Sequence, residues 1–177
     1  LIGEGVEQNG KLAFLWIQKA AEQGDTIAIY NLGFCYEHGV GVDQNSEKAF
    51  SNYKQAADLG LPLSLSALSK CYLKGYGTQK SEKLALECAQ NGKAKDDPES
   101  CYILGLYYEY GTNTKIDYAK AIECYEKALS LDIEVPERVY FYKALCYDKL
   151  KKYAKAVEFY KKAAALGYIA AQYNLAM

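Results

Sequence analysis

Three leucines, Leu32, Leu68 and Leu104, stand 36 residues apart, and so do three tyrosines, Tyr36, Tyr72 and Tyr108. The same interval separates Gly39, Gly75 and Gly111, then Ala49, Ala85 and Ala121, then Ala56, Gly92 and Ala128. A fixed period of this length means that one supersecondary unit is used repeatedly, and that each unit buries its apolar side against its neighbours. One further step of 36 back from Gly39, Gly41, Val42 and Ala49 reaches Gly3, Gly5, Val6 and Ala13, while Tyr173-Asn174-Leu175 repeats Tyr30-Asn31-Leu32. The expectation is therefore one array, cut at both ends: a partial repeat over 1–24, repeats over 25–60, 61–96, 97–134 and 135–169, and the start of another over 170–177.

Within a unit the apolar residues recur at three- and four-residue steps, which is the period of an amphipathic helix and not of a strand. Helix A of the second unit carries Ile27, Tyr30, Phe34 and Cys35, and helix B carries Ala49, Phe50, Tyr53, Ala56 and Ala57. All three prolines, Pro62, Pro98 and Pro136, fall at the start of a helix A, where a fixed φ and a missing N–H are harmless. Asn9, Asn45, Ser81 and Asp117 each precede the helix-B alanine by four residues and are placed to cap it. Gly39-Val40-Gly41, Gly75-Tyr76-Gly77 and Gly111-Thr112-Asn113 supply residues that accept a positive φ between the two helices. Small residues at Gly33, Ser69 and Gly105 on helix A, and at Ala49, Ala85 and Ala121 on helix B, leave room for close packing, and Tyr36, Tyr72 and Tyr108 fill the space between pairs. The predicted fold is all-α, a right-handed α-solenoid of helix-turn-helix repeats.

Leu32-Gly33-x-x-Tyr36, Gly39-Val40-Gly41-Val42-Asp43, Lys48-Ala49 and Tyr53-Lys54-Gln55-Ala56-Ala57-x-x-Gly60 resemble the Sel-one-like repeat, a close relative of the tetratricopeptide repeat. Lys19-Ala20-Ala21-x-x-Gly24 shows the same ending in the first unit. The third unit departs from the pattern, with Ala89-Gln90 in place of Tyr-Lys. The last complete unit replaces the glycine turn by Lys149-Leu150-Lys151-Lys152 and is closer to an ordinary tetratricopeptide repeat, and the linker Ile133-Glu134-Val135-Pro136 before it is longer.

The resemblance implies an adaptor or scaffold whose A helices line a concave groove for an extended peptide or a helix of a partner protein. Carried over to this sequence, the groove positions are Ile27, Tyr30, Asn31, Phe34, Glu37 and His38 in the second unit and Ser66, Lys70, Leu73 and Lys74 in the third. The fourth unit supplies Tyr102, Leu106, Glu109 and Tyr110, and the fifth Arg138, Phe141, Tyr142, Leu145, Asp148 and Lys149. Asn31 and Asn174 hold the place from which a ligand backbone is clamped by an amide, and Lys70 with Lys74 suits an acidic group. Tyr30, Asn31, Phe34, Tyr102 and Leu106 are expected to be exposed on one continuous surface.

Two other readings stand beside this one: an exported, disulfide-stapled repeat protein acting on host or envelope partners, and a structural or regulatory subunit whose binding site lies elsewhere. Cys35, Cys71 and Cys146 occupy equivalent positions, as do Cys88 and Cys124, and equivalent positions in stacked repeats are too far apart to bridge. Pairs within a repeat are confined to Cys71 with Cys88 and Cys101 with Cys124, so the six are read as buried thiols, with a cytoplasmic location favoured over export. A net charge of −1 gives no field to gather nucleic acid, and no apolar run reaches the length of a membrane span. With one histidine, His38, and no converging metal ligands, neither catalysis nor a cofactor or metal is expected. The uncapped ends of the array offer apolar stacking surfaces for self-association.

Overall fold

A computed structural model of the protein describes residues 9–176. The Gly3-Glu4-Gly5 turn expected in the first unit, and Met177, lie outside the described residues. Within them are ten helices and no strand: α1 (Gly10–Glu22), α2 (Thr26–His38), α3 (Ser46–Asp58), α4 (Leu63–Lys74), α5 (Glu82–Ala94), α6 (Pro98–Tyr110), α7 (Tyr118–Ser130), α8 (Pro136–Lys149), α9 (Tyr153–Ala165) and α10 (Ile169–Ala176). Even-numbered helices are the A helices and odd-numbered ones the B helices. The chain divides into two compact units, Leu1–Ser81 and Glu82–Met177.

In the first unit α1 packs on α2, α2 on α3 and α3 on α4. The stop and start signals read from the sequence act where expected. The N–H of Leu12 donates to Asn9 Oδ1 at 3.1 Å and that of Lys48 to Asn45 Oδ1 at 2.8 Å, capping α1 and α3. Gly39 and Gly75 close α2 and α4 in the left-handed region, at φ 71 and 70. The second turn glycines have a further reason: a Cβ on Gly41 would collide with the backbone of Gly10, and one on Gly77 with that of Ser46, at the start of the preceding B helix. The repeat tyrosines are spacers between pairs. Tyr36 meets Phe14 edge-on with ring centroids 5.6 Å apart, and Tyr72 meets Phe50, 36 residues after Phe14, in the same way at 5.3 Å.

In the second unit α5 through α10 pack each on the next, and α6 also touches α8. Asp117 caps α7 by accepting from Lys120 N–H at 3.0 Å, and Pro98 and Pro136 open α6 and α8. Asp25 and Asp97, 72 residues apart, cap two A helices through Ala28 N–H and Ser100 N–H, a role the sequence reading had given to B helices alone. The turn without glycine, Leu150-Lys151-Lys152, places Lys151 at φ 57.

The small residue of helix A has a more specific purpose than letting two backbones approach. A Cβ on Gly33 would stand 2.9 Å from the ring of Tyr53, and one on Gly105 would strike the ring of Tyr125. Each glycine is the seat of a helix-B tyrosine, which is buried almost completely.

Candidate groove on the A-helix faces

The face of α2 away from its buried Ala28, Ile29, Gly33 and Cys35 presents Ile27, Asn31, Phe34 and His38. Phe34 is 43 % exposed and Ile27 62 %. The Phe34 ring stacks on His38 at 4.1 Å, and His38 Nδ1 lies 3.1 Å from the Phe34 carbonyl oxygen, which orients both side chains. Tyr30 is half-buried, its ring 5.2 Å from that of Tyr53. Glu37, also half-buried, accepts from the Tyr53 hydroxyl at 2.5 Å, and so it anchors helix B to helix A. Lys70 and Lys74 are exposed on α4, one helical turn apart.

In the second unit Tyr110 is 61 % exposed at the end of α6, and Leu106, Phe141, Tyr142 and Leu145 are half-buried. The expectation that Ser66, Glu109 and Tyr102 line the surface is corrected: Ser66 is 2 %, Glu109 8 % and Tyr102 3 % exposed. The Tyr102 ring lies 6.1 Å from Tyr125 and 6.0 Å from Tyr142, and the guanidinium of Arg138, the single arginine of the chain, sits 5.5 Å from its centroid. Side chains from α8 thus cover it. The Tyr102 hydroxyl is buried with no partner completing hydrogen-bond geometry, although Tyr142 stands beside it. Phe141 is held among Tyr142, Tyr160 and Tyr168, at 5.5, 5.8 and 4.8 Å. The expected continuous surface therefore resolves, unit by unit, into exposed Asn31 and Phe34 with half-buried Tyr30, and half-buried Leu106 with buried Tyr102.

The Tyr53–Glu37 bond recurs 72 residues later, where Tyr125 Oη donates to Glu109 Oε2 at 2.6 Å. Glu109 is 8 % exposed, and burial pushes its carboxyl pKa up against the opposing pull of hydrogen bonds from Tyr125 and Cys146 and the charge of Lys149. Burial and the neighbouring carboxylate raise the Tyr125 phenol likewise. The sequence carries a signal for this pair, a Glu and a Tyr sixteen residues apart in both units. The third unit loses both partners together, with Leu73 and Ala89 at the two positions.

The cysteines are all thiols, and all but Cys88 are buried. Lys93 Nζ donates to Cys124 Sγ at 3.4 Å. Among the described residues no three His, Cys, Asp or Glu side chains gather as metal ligands, and no helix is long and apolar enough to cross a membrane. What the A-helix faces offer chemically is shape, aromatic surface and amide and hydroxyl hydrogen bonding, the means of recognition.

Comparison with known proteins agrees with this geometry. The Sel1 repeat matches five stretches, residues 1–25, 26–61, 62–97, 98–132 and 140–168. A Sel1 repeat protein from Oxalobacter formigenes superposes with a TM-score of 0.80 at 31 % identity, covering 98 % of this chain and 69 % of that one. The protective antigen c5321 of uropathogenic Escherichia coli, which has the same kind of fold, gives 0.87 at 28 %, covering 98 % of this chain but 37 % of its own length. Cysteine rich protein B of Helicobacter pylori gives 0.55 at 22 %, over 75 % and 96 % of the two chains, a likeness of fold alone. No curated protein matches the chain. Repeats of this kind build α-solenoids that serve as non-catalytic scaffolds for protein interaction.

Proposed function

Because the chain belongs to the Sel1 repeat family, we propose that it is a scaffold that holds an extended segment or a helix of a partner protein against its A-helix faces. The observation that carries this reading is the exposed row on α2. Ile27 and Phe34 stand exposed on the one face of α2 opposite its core, with the Phe34 ring stacked on His38, and an apolar row of this kind suits a binding face. Asn31, between them, has both a donor and an acceptor for the backbone of a bound segment. Tyr110, Leu106, Phe141, Tyr142 and Leu145 play the same part in the second unit, with Tyr102 as a rigid platform beneath. Lys70 and Lys74 suit acidic residues of the partner, and Glu37 contributes by fixing Tyr53.

Site-specific photocrosslinking tests it. With p-benzoylphenylalanine at Phe34 or Tyr110, partner proteins should be captured in the source cell. The same probe at Lys54 or Lys83, exposed on the B helices α3 and α5, should capture none of them. Capture from the B-helix positions alone would place the working surface elsewhere and remove the reading.

A further inference from the structure

Four residues of α8, Arg138, Tyr142, Leu145 and Lys149, recur at steps of four, three and four and therefore lie in one stripe along the helix. The same stripe carries Ile27, Asn31, Phe34 and His38 on α2, Leu63, Ala67, Lys70 and Lys74 on α4, and Glu99, Ile103, Leu106 and Tyr110 on α6. Of these four helices α8 alone has a lysine or arginine at each end of the stripe. Both are exposed, while Tyr142 and Leu145 between them are half-buried. The Arg138 guanidinium is held over the Tyr102 ring, and among the described residues neither cation makes an ion pair. Of the carboxylates whose charge is felt here, Glu109 is occupied by Tyr125. Glu99 acts on the same Tyr102 phenol as Arg138 and would repel an acid if Arg138 were removed. Arg138 is also poorly placed for its own helix. It stands in the first turn of α8, where the helix dipole favours an anion such as Glu137 and disfavours a cation. An anion bound from outside offsets that penalty.

We propose that this stripe recognises an acidic segment: an extended stretch of the partner protein with one carboxylate at Arg138, another at Lys149, and an apolar side chain between them against Tyr142 and Leu145. The proposal rests on the scaffold reading above and adds to it the chemistry of the partner. Eleven residues of helix separate the two cations, and a rise of about 1.5 Å per residue sets their Cα atoms about 16 Å apart. An extended chain advances about 3.3 Å per residue, so the two acids stand about five residues apart. Exposed Tyr110 of α6, a helix that touches α8, adds aromatic surface beside the stripe. Solvent-exposed ion pairs are weak one at a time, but two at a fixed separation define the register and direction of what binds.

Selection of a random-peptide library on the full chain tests this. Peptides enriched by the wild type should carry Asp or Glu at two positions about four to six residues apart, with an apolar residue between them. The charge-reversed double variant Arg138→Glu, Lys149→Glu should instead enrich Lys or Arg at the same spacing. Changing both acids of the best wild-type peptide to amides should weaken its binding about tenfold, about threefold for each. Arg138→Gln should weaken the parent peptide about threefold and leave unchanged the peptide that lacks the facing acid. Enriched peptides without the acidic pair, or an unaltered preference in the folded double variant, overturn the proposal and leave the scaffold reading standing. A library from which nothing is enriched counts against both. Should circular dichroism show that the double variant does not fold, the single variants Arg138→Gln and Lys149→Gln decide, and a peptide bound equally well by both and by the wild type overturns the proposal.

Discussion

Gly105 lies so close beneath the aromatic ring of Tyr125 that a single added methyl group would strike it. The contact couples two positions twenty residues apart in sequence, and it makes their substitutions interdependent. Gly105→Ala should destabilise the protein by about 3 kcal/mol, the upper range for overpacking a filled site. In a Tyr125→Ala background the same change should cost little, within about 0.5 kcal/mol of zero, because the ring is gone. By contrast Gly60→Ala, at φ 94 with no atom within 4 Å, should cost about 1 kcal/mol through backbone conformation alone. Urea denaturation of the four variants checks all three values, and an additive double variant would refute the coupling.

Removal of the two tyrosine hydroxyls should not be equivalent. Tyr125→Phe leaves the carboxylate of Glu109, which has almost no access to water, with only the weak thiol donor of Cys146, and should lose about 2 kcal/mol. Tyr53→Phe leaves Glu37 half-exposed and able to hydrate, so about 1 kcal/mol is expected. Equal losses in urea midpoints would mean that burial of the acceptor does not set the strength of the tyrosine–glutamate bond.

Glu109 also gives the stability a distinctive pH dependence. Its folded pKa lies above the ordinary 4.5 because burial penalises the charged form. The native state then binds the proton more tightly than the unfolded chain does. The stabilisation is fully present below the unfolded value and is lost as pH rises through the folded one. Stability measured from pH 4 upward should therefore decline in the wild type relative to Glu109→Gln, in which this contribution is absent. Asp117 and Glu158, whose pKa values are lowered, act in the opposite sense in both proteins and cancel in the difference. A flat difference between the two proteins would show that Glu109 is ionised in the fold without penalty.

Thiol labelling of the native protein should rank the cysteines by access. Cys88, half-buried, should alkylate first, although burial pushes its thiol up to about 11 and keeps the thiolate scarce at neutral pH. Cys35, Cys101, Cys124 and Cys146, each at most 2 % exposed, should react only when the chain unfolds. Intact-mass analysis after alkylation in denaturant should find six modified thiols, and fewer would indicate disulfide pairing.

The period of 36 carried the helix pairs, their caps and their turns without help from the tertiary structure. These are local matters: Asn45 caps α3 through a bond three residues away, and Gly39 ends α2 through its own φ. The row on α2 was legible for the same reason, since Asn31, Phe34 and His38 share a face by helical geometry alone. The aspartate caps of α2 and α6 were open to the same logic and went unread. The pairing of Glu37 with Tyr53 and of Glu109 with Tyr125 was also written in the sequence, at a spacing of sixteen residues, but its meaning depended on knowing that the two side chains touch.

What the sequence alone determined is the repeating unit, because period, capping and turn chemistry act between residues that are neighbours along the chain. What only the tertiary structure decided is the fate of residues that the period treats as identical. Tyr30 and Tyr102 share a register, yet Tyr30 remains half-exposed, and Tyr102 lies beneath Arg138 and Tyr142 of the following A helix. Burial is a property of what comes to rest on a side chain, and that is set by a different helix from the one that carries it.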